Sequence, residues 1–337
     1  MTVASLRGRS GGARLIRHAG SVRADSPRFG GVSLRILNEM GPKTEARIHE
    51  VLPDAEVVTV GAEAPTPGTT ADVFFGGYGP HSLALAACVP WVQLSGTGVD
   101  KVPAAMYEGR TVTCARGASA IPISEFVLAA MLAFEKRMPE IWLDEPPEHW
   151  NFAKLGGLHG RTLGLVGLGG IGVAIAERTV PFGMRVLAVR RTRAPSPVEG
   201  VEVVASTDDL LPVVDHLVLA APATAATRHL LDADALARVK PGVHLVNVAR
   251  GALVDQDALR VALDDGRVAR ATLDTVEPEP LPAGHWLYSH PNVRLSAHVS
   301  WGSPAGFDPA LDLFIANLVR RAAGEPLLHV VDAAEGY

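Results

Sequence analysis

Three titratable or charged residues follow apolar runs that read as buried strands. Arg250 comes after "VHLVNVA", Glu279 after "ARATLD" and the turn "TVEPEP", and His298 after "NVRLSA". Such runs become central strands of a parallel sheet, where a buried charge is costly, so each residue is expected just past its strand. An arginine can grip a carboxylate through two parallel hydrogen bonds and polarise the carbonyl beside it. A histidine can deliver a proton near neutral pH, and a neighbouring carboxylate keeps it charged and oriented. Together these are the groups that hydride transfer to a 2-oxo acid needs. Singly, each is also explained as a solvated strand-end charge or a structural histidine. Their joint placement at one sheet edge is what points to chemistry.

Hydride transfer needs a dinucleotide, and "GLVGLGGIG" contains Gly167-x-Gly169-x-x-Gly172. The pattern is weak by itself in a chain with 34 glycines, but its context is the required one. An apolar strand precedes it, a helix-periodic stretch follows, and "MRVLAV" supplies the next strand. Gly167 suits the tight turn, Gly169 lets backbone approach a pyrophosphate, and Gly172 packs helix on strand. Leu168, Gly170 and Ile171 belong to the same loop, and Ala221, Pro222, Thr227, Val248 and Ala249 lie at neighbouring strand ends, where the cofactor edge should run. An acidic residue that would bind a ribose 2′-hydroxyl is missing from the end of the second strand. "VRRTR" stands there instead, with Arg190, Arg191 and Arg193. Cations at that place favour NADP(H) over NAD(H), although a solvated basic loop would look the same.

These residues must be positioned by alternating strands and helices. "SLRIL", "AEVVTV", "ADVFFGG" and "WVQLSG" read as strands of a first series, with "PKTEARIHEVL" as a helix between the first two. A helix is expected over 122–137, followed by a Pro-, Trp- and Gly-rich arm over 139–160. A second series holds "TLGLVG", "MRVLAV", "DHLVLA", "VHLVNV", "ARATLD" and "NVRLSA". Six such strands make a doubly wound parallel sheet, whose ligands bind beyond the strands' carboxyl ends. Residues 303–323 form a last helix that should return to the first domain.

The chain has 337 residues, enough for two domains, with 47% hydrophobic and 20% charged residues, as in a soluble globular protein. A net charge of −5 speaks against nucleic-acid or anionic-membrane partners. Two cysteines, Cys88 and Cys114, make no disulfide framework and suit a reducing cytoplasm. Residues 1–31 are arginine-rich, contain Asp25 as their single acid, and lack periodicity. They read as a disordered extension or a misassigned start, with a transit peptide as the alternative.

From Val32 onward the sequence resembles the D-isomer-specific 2-hydroxyacid dehydrogenases. The resemblance is carried by "SGTGVDKV" (95–102), "ARGASAIPISEFVLAAMLA" (115–133), "LHGRTLGLVGLGGIG" (158–172), "NVARGALVD" (247–255), "LDTVEPEPLP" (273–282) and "HPNVRLSAHVS" (290–300). It implies an α/β protein of two Rossmann-like domains, with a nucleotide-binding domain over 122–299 inserted into a substrate domain of 32–121 and 300–337. It places the family's catalytic arginine, glutamate and histidine on Arg250, Glu279 and His298, and puts Asp274 near the nicotinamide. It also implies a small 2-oxo or 2-hydroxy acid substrate, no metal, and a homodimer joined through the nucleotide domains and the arm. The substrate loop would be "FGGYGPH" (75–81), with amides of Gly76, Gly77 and Tyr78 facing an anion and Gly98 nearby, the alternative being a simple strand-end turn. Two departures stand out. Ala297 replaces a usual proline before the histidine, and the bulky Trp301 follows it. Trp301 either narrows the substrate pocket or packs the returning helix. A non-enzymatic, dinucleotide-sensing corepressor is the alternative function, because it can retain the same three residues.

Overall fold

A computed structural model describes residues 34–61, 69–151, 153–192 and 194–336. The extension expected over residues 1–31 lies outside them, as does Arg193. Two parallel sheets organise the chain. The first contains β1 (Arg35–Asn38), β2 (Glu56–Thr59), β3 (Val73–Gly76), β4 (Trp91–Leu94) and β5 (Thr111–Thr113) in the order β2-β1-β3-β4-β5. The second contains β6 (Thr162–Val166), β7 (Arg185–Val189), β8 (Val201–Val203), β9 (His216–Leu219), β10 (Val243–Asn247), β11 (Val268–Leu273) and β12 (Val293–Leu295). Their order is β12-β11-β10-β9-β6-β7-β8. Sequence periodicity yields four and six strands for these sheets, and the structure adds β5 and β8. Both are three-residue strands at sheet edges, as is β12, whose run "NVRLSA" the sequence did show.

Apolar runs dictate which strands are central. All residues of β3, β4, β9 and β10 are buried, as expected for strands covered on both faces. Helix α1 (Pro42–Val51) connects β1 to β2, and α2 (Pro80–Ala86) connects β3 to β4. Helix α3 (Ala120–Glu135) starts two residues earlier than the expected 122 and packs Ile123, Val127 and Met131 onto the second sheet. That sheet also carries α4 (Gly170–Thr179), α5 (Ala233–Arg238) and α6 (Gln256–Asp264). The last helix, α7 (Asp308–Ala322), is shorter than 303–323 but returns to the first sheet as expected. Phe314 stacks on Phe75 with ring centroids 4.4 Å apart, and the chain then pairs Val330 with Thr113 beside β5. Among the described residues, no helix is long and apolar enough to cross a membrane.

The amino edge of the second sheet holds a buried polar cluster. His216 and His244 are both fully buried, with their Nδ1 atoms 3.2 Å apart. His216 Nε2 lies 3.1 Å from Glu135, His244 Nε2 lies 2.9 Å from the Thr272 hydroxyl, and Phe134 stacks on the His244 ring. Burial pushes His244 well below the ordinary histidine value of 6.5, and the neighbouring His216 and Arg270 add to the effect. The folded chain therefore keeps His244 neutral where the unfolded chain takes up a proton. Its contribution to stability is complete above about pH 6.5 and is lost as pH falls below that value. Thermal melts should show Tm declining on acidification from about pH 6.5, with a shallower decline in His244→Asn despite its lower starting Tm. Equal slopes in the two proteins would remove His244 as the titrating group.

Candidate active site

The second sheet reverses its winding at β6, with β7 on one side and β9 on the other. The carboxyl ends of the strands at such a reversal are where open α/β sheets bind ligands. The glycine loop leaves β6 at this point. Gly167 has φ +103, and a Cβ on it would lie 2.7 Å from the Ala220 backbone, so only glycine makes this turn. Gly169 caps α4 with no side-chain hydrogen bond, and a Cβ there would meet no atom within 4 Å. The first amides of α4, from Gly170, Ile171 and Gly172, thus head a helix without a side-chain cap, open at Gly169 and bordered at Gly170 by the Gly117 backbone. An uncapped helix start over open space fits a dinucleotide pyrophosphate. Leu168 is buried beneath the loop. After β9, the Thr227 hydroxyl donates to the Pro222 carbonyl at 2.7 Å and closes the turn that begins at Ala221.

Arg190 follows β7 directly, and the Val189 carbonyl before it accepts from the Gly167 amide at 2.9 Å. This arginine is therefore held beside the glycine loop, with one Nη1 hydrogen bond to the Pro195 carbonyl. Arg191 is ion-paired with Glu335 of the C-terminal tail. No sequence pattern could have anticipated that pairing.

Beyond β10, Val248 and Ala249 are buried and Arg250 turns out. Asn247 shapes this turn: its side chain accepts from the Ala249 amide at 3.0 Å and donates to the Arg250 carbonyl at 2.8 Å. The guanidinium then reaches across to the first sheet. Nε donates to Asp100 at 2.8 Å and Nη1 to the Ala249 carbonyl at 2.7 Å. Nη2 lies so close to Gly98 that a Cβ there would come within 1.5 Å of it. Gly98 is thus a seat for the arginine.

His298 stands after β12 in a left-handed conformation, φ +55, which is uncommon for a residue with a side chain. Two hydrogen bonds hold it there. Its amide donates to the Asp274 carbonyl at 2.9 Å, and its carbonyl accepts from the Trp301 indole at 2.9 Å. Its Nδ1 lies 3.2 Å from Glu279. Glu279 also accepts from the Val276 amide at 3.2 Å and faces Lys101 at 3.7 Å. The Trp301 ring leans on Phe307 with centroids 5.4 Å apart, and the side chain stays partly exposed beside the histidine.

Asp274 is buried after β11 and organises this edge. It accepts from the Ser296 hydroxyl at 2.6 Å and from the amides of Val299 and Ser300 at 2.9 and 3.0 Å. Burial alone would raise its carboxyl, but these bonds and the Ser300 hydroxyl outweigh burial and hold it below the ordinary carboxylate range. The ionised Asp274 therefore braces the segment that carries His298.

Sequence reasoning missed Asp100 and Lys101, although both stand in the quoted "SGTGVDKV". Nothing in a sequence shows that two consecutive residues of one sheet touch Arg250 and Glu279 of the other. The loop expected to face an anion, Gly76–Tyr78, already meets one from the chain itself. The Gly77 amide donates to Glu39 at 2.8 Å.

The NAD-binding-domain model of the D-isomer-specific 2-hydroxyacid dehydrogenases matches residues 128–300. The chain is 34% identical over 233 residues to the glyoxylate reductase of Thermofilum pendens, covering 66% of this chain and 68% of that one. It is 31% identical over 253 residues to the hydroxypyruvate reductase of Thermotoga maritima, covering 73% and 77%. A D-isomer-specific 2-hydroxyacid dehydrogenase from Xanthobacter autotrophicus Py2, solved with NADPH and MES, superposes with a TM-score of 0.78 at 27% identity, over 91% of this chain and 100% of that one. Two parallel sheets, a glycine loop at the winding reversal and these matches lead to one assignment: the chain belongs to the D-isomer-specific 2-hydroxyacid dehydrogenase family.

Proposed function

We propose that the protein reduces a small 2-oxo acid of the glyoxylate or hydroxypyruvate kind to its D-2-hydroxy acid, with NADPH preferred over NADH. One observation carries this: consecutive residues Asp100 and Lys101 contact Arg250 and Glu279, so the arginine and the histidine–glutamate pair border one cleft. An arginine has five N–H donors. One is committed to Asp100 and one to Ala249, and those remaining can hold the substrate carboxylate and polarise its carbonyl. With Nδ1 turned to Glu279, His298 has Nε2 left to donate a proton to the carbonyl oxygen as it becomes a hydroxyl. The nicotinamide, when bound, supplies the hydride. In this proposal residues 32–121 and 300–337 form the substrate unit, 122–299 form the dinucleotide unit, and Trp301 borders the substrate.

The reductase names of both curated relatives support catalysis over the corepressor alternative. Exposed Trp142, Leu143 and Trp150 on the arm after α3 support a homodimer. The free thiols Cys88 and Cys114 suit a cytoplasmic setting.

Steady-state kinetics with glyoxylate and hydroxypyruvate, using each cofactor, test the proposal. Arg190 beside the glycine loop should favour the 2′-phosphate through ionised hydrogen bonds of roughly 1.5–3 kcal/mol, an affinity preference of about 10- to 150-fold. Arg190→Asp should weaken NADPH strongly and NADH little, and the parent's preference should shrink as salt rises. Equal kcat/KM with the two cofactors in the parent would defeat the NADPH assignment.

A further inference from the structure

The first sheet also reverses its winding, at β1, with β2 on one side and β3 on the other. Its ligand crevice is therefore at the carboxyl ends of β1 and β3. Glu39 is the first residue past β1, and Gly77 the first past β3. The two meet: the Glu39 carboxylate accepts from the Gly77 amide at 2.8 Å, and the buried Ser82 hydroxyl lies 2.9 Å from both of its oxygens. The approach depends on glycine at 76, where a Cβ would lie 2.5 Å from a Glu39 oxygen. Among the described residues Glu39 has no ion-pair partner. From this crevice the sheet edge continues to the seat of Arg250. The Gly76 carbonyl accepts from the Ser95 amide at 2.8 Å, and Gly98, three residues further, lies against the guanidinium.

From this geometry we infer that Glu39 is a specificity-determining residue for the far end of the substrate. The inference rests on the 2-oxo acid reductase reading. With the substrate carboxylate held by Arg250, the distal group of the molecule points along the edge toward β1 and β3. It meets a fixed carboxylate there. A second anionic group, phosphate or carboxylate, is repelled over a few ångströms in a partly desolvated cleft. A hydroxyl or ammonium can instead donate to the Glu39 oxygen lone pairs that Gly77 and Ser82 leave open. The enzyme thus selects 2-oxo acids whose tail is absent or carries a donor, against dicarboxylic and phosphorylated ones.

The test compares the parent with Glu39→Gln, whose amide oxygen can still accept from Gly77. Kinetic constants with NADPH are measured for glyoxylate, hydroxypyruvate, 2-oxoglutarate and phosphohydroxypyruvate. The expected result is a rise of about tenfold or more in kcat/KM for the two dianionic-type substrates relative to glyoxylate, with no such rise for hydroxypyruvate. An unchanged ratio overturns the role of Glu39. So does an equal fall in KM for every substrate, which would mean that Glu39 merely occupies the seat of the common carboxylate. Calorimetric titration of NADPH-loaded protein with the unreactive anions oxamate and tartronate gives the same comparison without turnover. Absence of turnover in the parent therefore defeats the reductase reading, while an unchanged oxamate-to-tartronate affinity ratio defeats the Glu39 inference.

Discussion

Replacing His298 with alanine lowers kcat for 2-oxo acid reduction by about 10²–10⁴-fold, the range associated with a positioned acid–base group. The size of the effect follows from how much structure serves this one ring. Its backbone occupies a left-handed conformation that costs energy, and that conformation is held from both sides by Asp274 and Trp301. Glu279 fixes Nδ1, so a single nitrogen is left to act in the cleft. Binding of NADPH, measured by fluorescence titration, should survive the substitution, because the glycine loop and Arg190 lie on other strands. A turnover rate within threefold of the parent would exclude His298 as the proton donor.

Arg250→Lys is the second large effect, although it preserves the charge. Lysine offers a point charge in place of the planar fork. It cannot hold Asp100 through Nε and the Ala249 carbonyl through Nη1 while presenting two further donors to a carboxylate. Each ionised hydrogen bond lost costs roughly 1.5–3 kcal/mol, so kcat/KM should fall by about 10²-fold or more. The loss should appear in both constants, since the role proposed for the guanidinium is both to bind the carboxylate and to polarise the carbonyl. Near-parent values for kcat and KM would show that another cation, with Lys101 the nearest to Glu279, holds the substrate.

Local sequence determined a large part of this protein. Apolar runs separated by helical stretches impose parallel βαβ units, and right-handed crossovers place every residue that follows a strand at the same carboxyl edge. Arg250, Glu279 and His298 could therefore be assigned to one edge of one sheet from the sequence, whereas Asp274 came only from the family resemblance. The glycine loop was legible for the same reason, because strand, turn and helix are contiguous. β5 and β8 were not legible: a three-residue run becomes a strand only by pairing with a neighbour, and its own residues leave strand and loop equally open.

Contacts between distant segments were decided by tertiary structure alone. Glu135, His216 and His244 are far apart in the chain and meet only because α3 packs over β9 and β10. Asp100 reaches Arg250, and Lys101 reaches Glu279, only because the two carboxyl edges face each other. The loop at Gly76–Tyr78 shows the division most clearly. Its glycines could be read as an anion-facing turn, but the strand order puts β1 beside β3. That neighbour relation sets Glu39 on the Gly77 amide, and residue patterns carry no information about it, because side-chain period records burial and not which strand lies alongside.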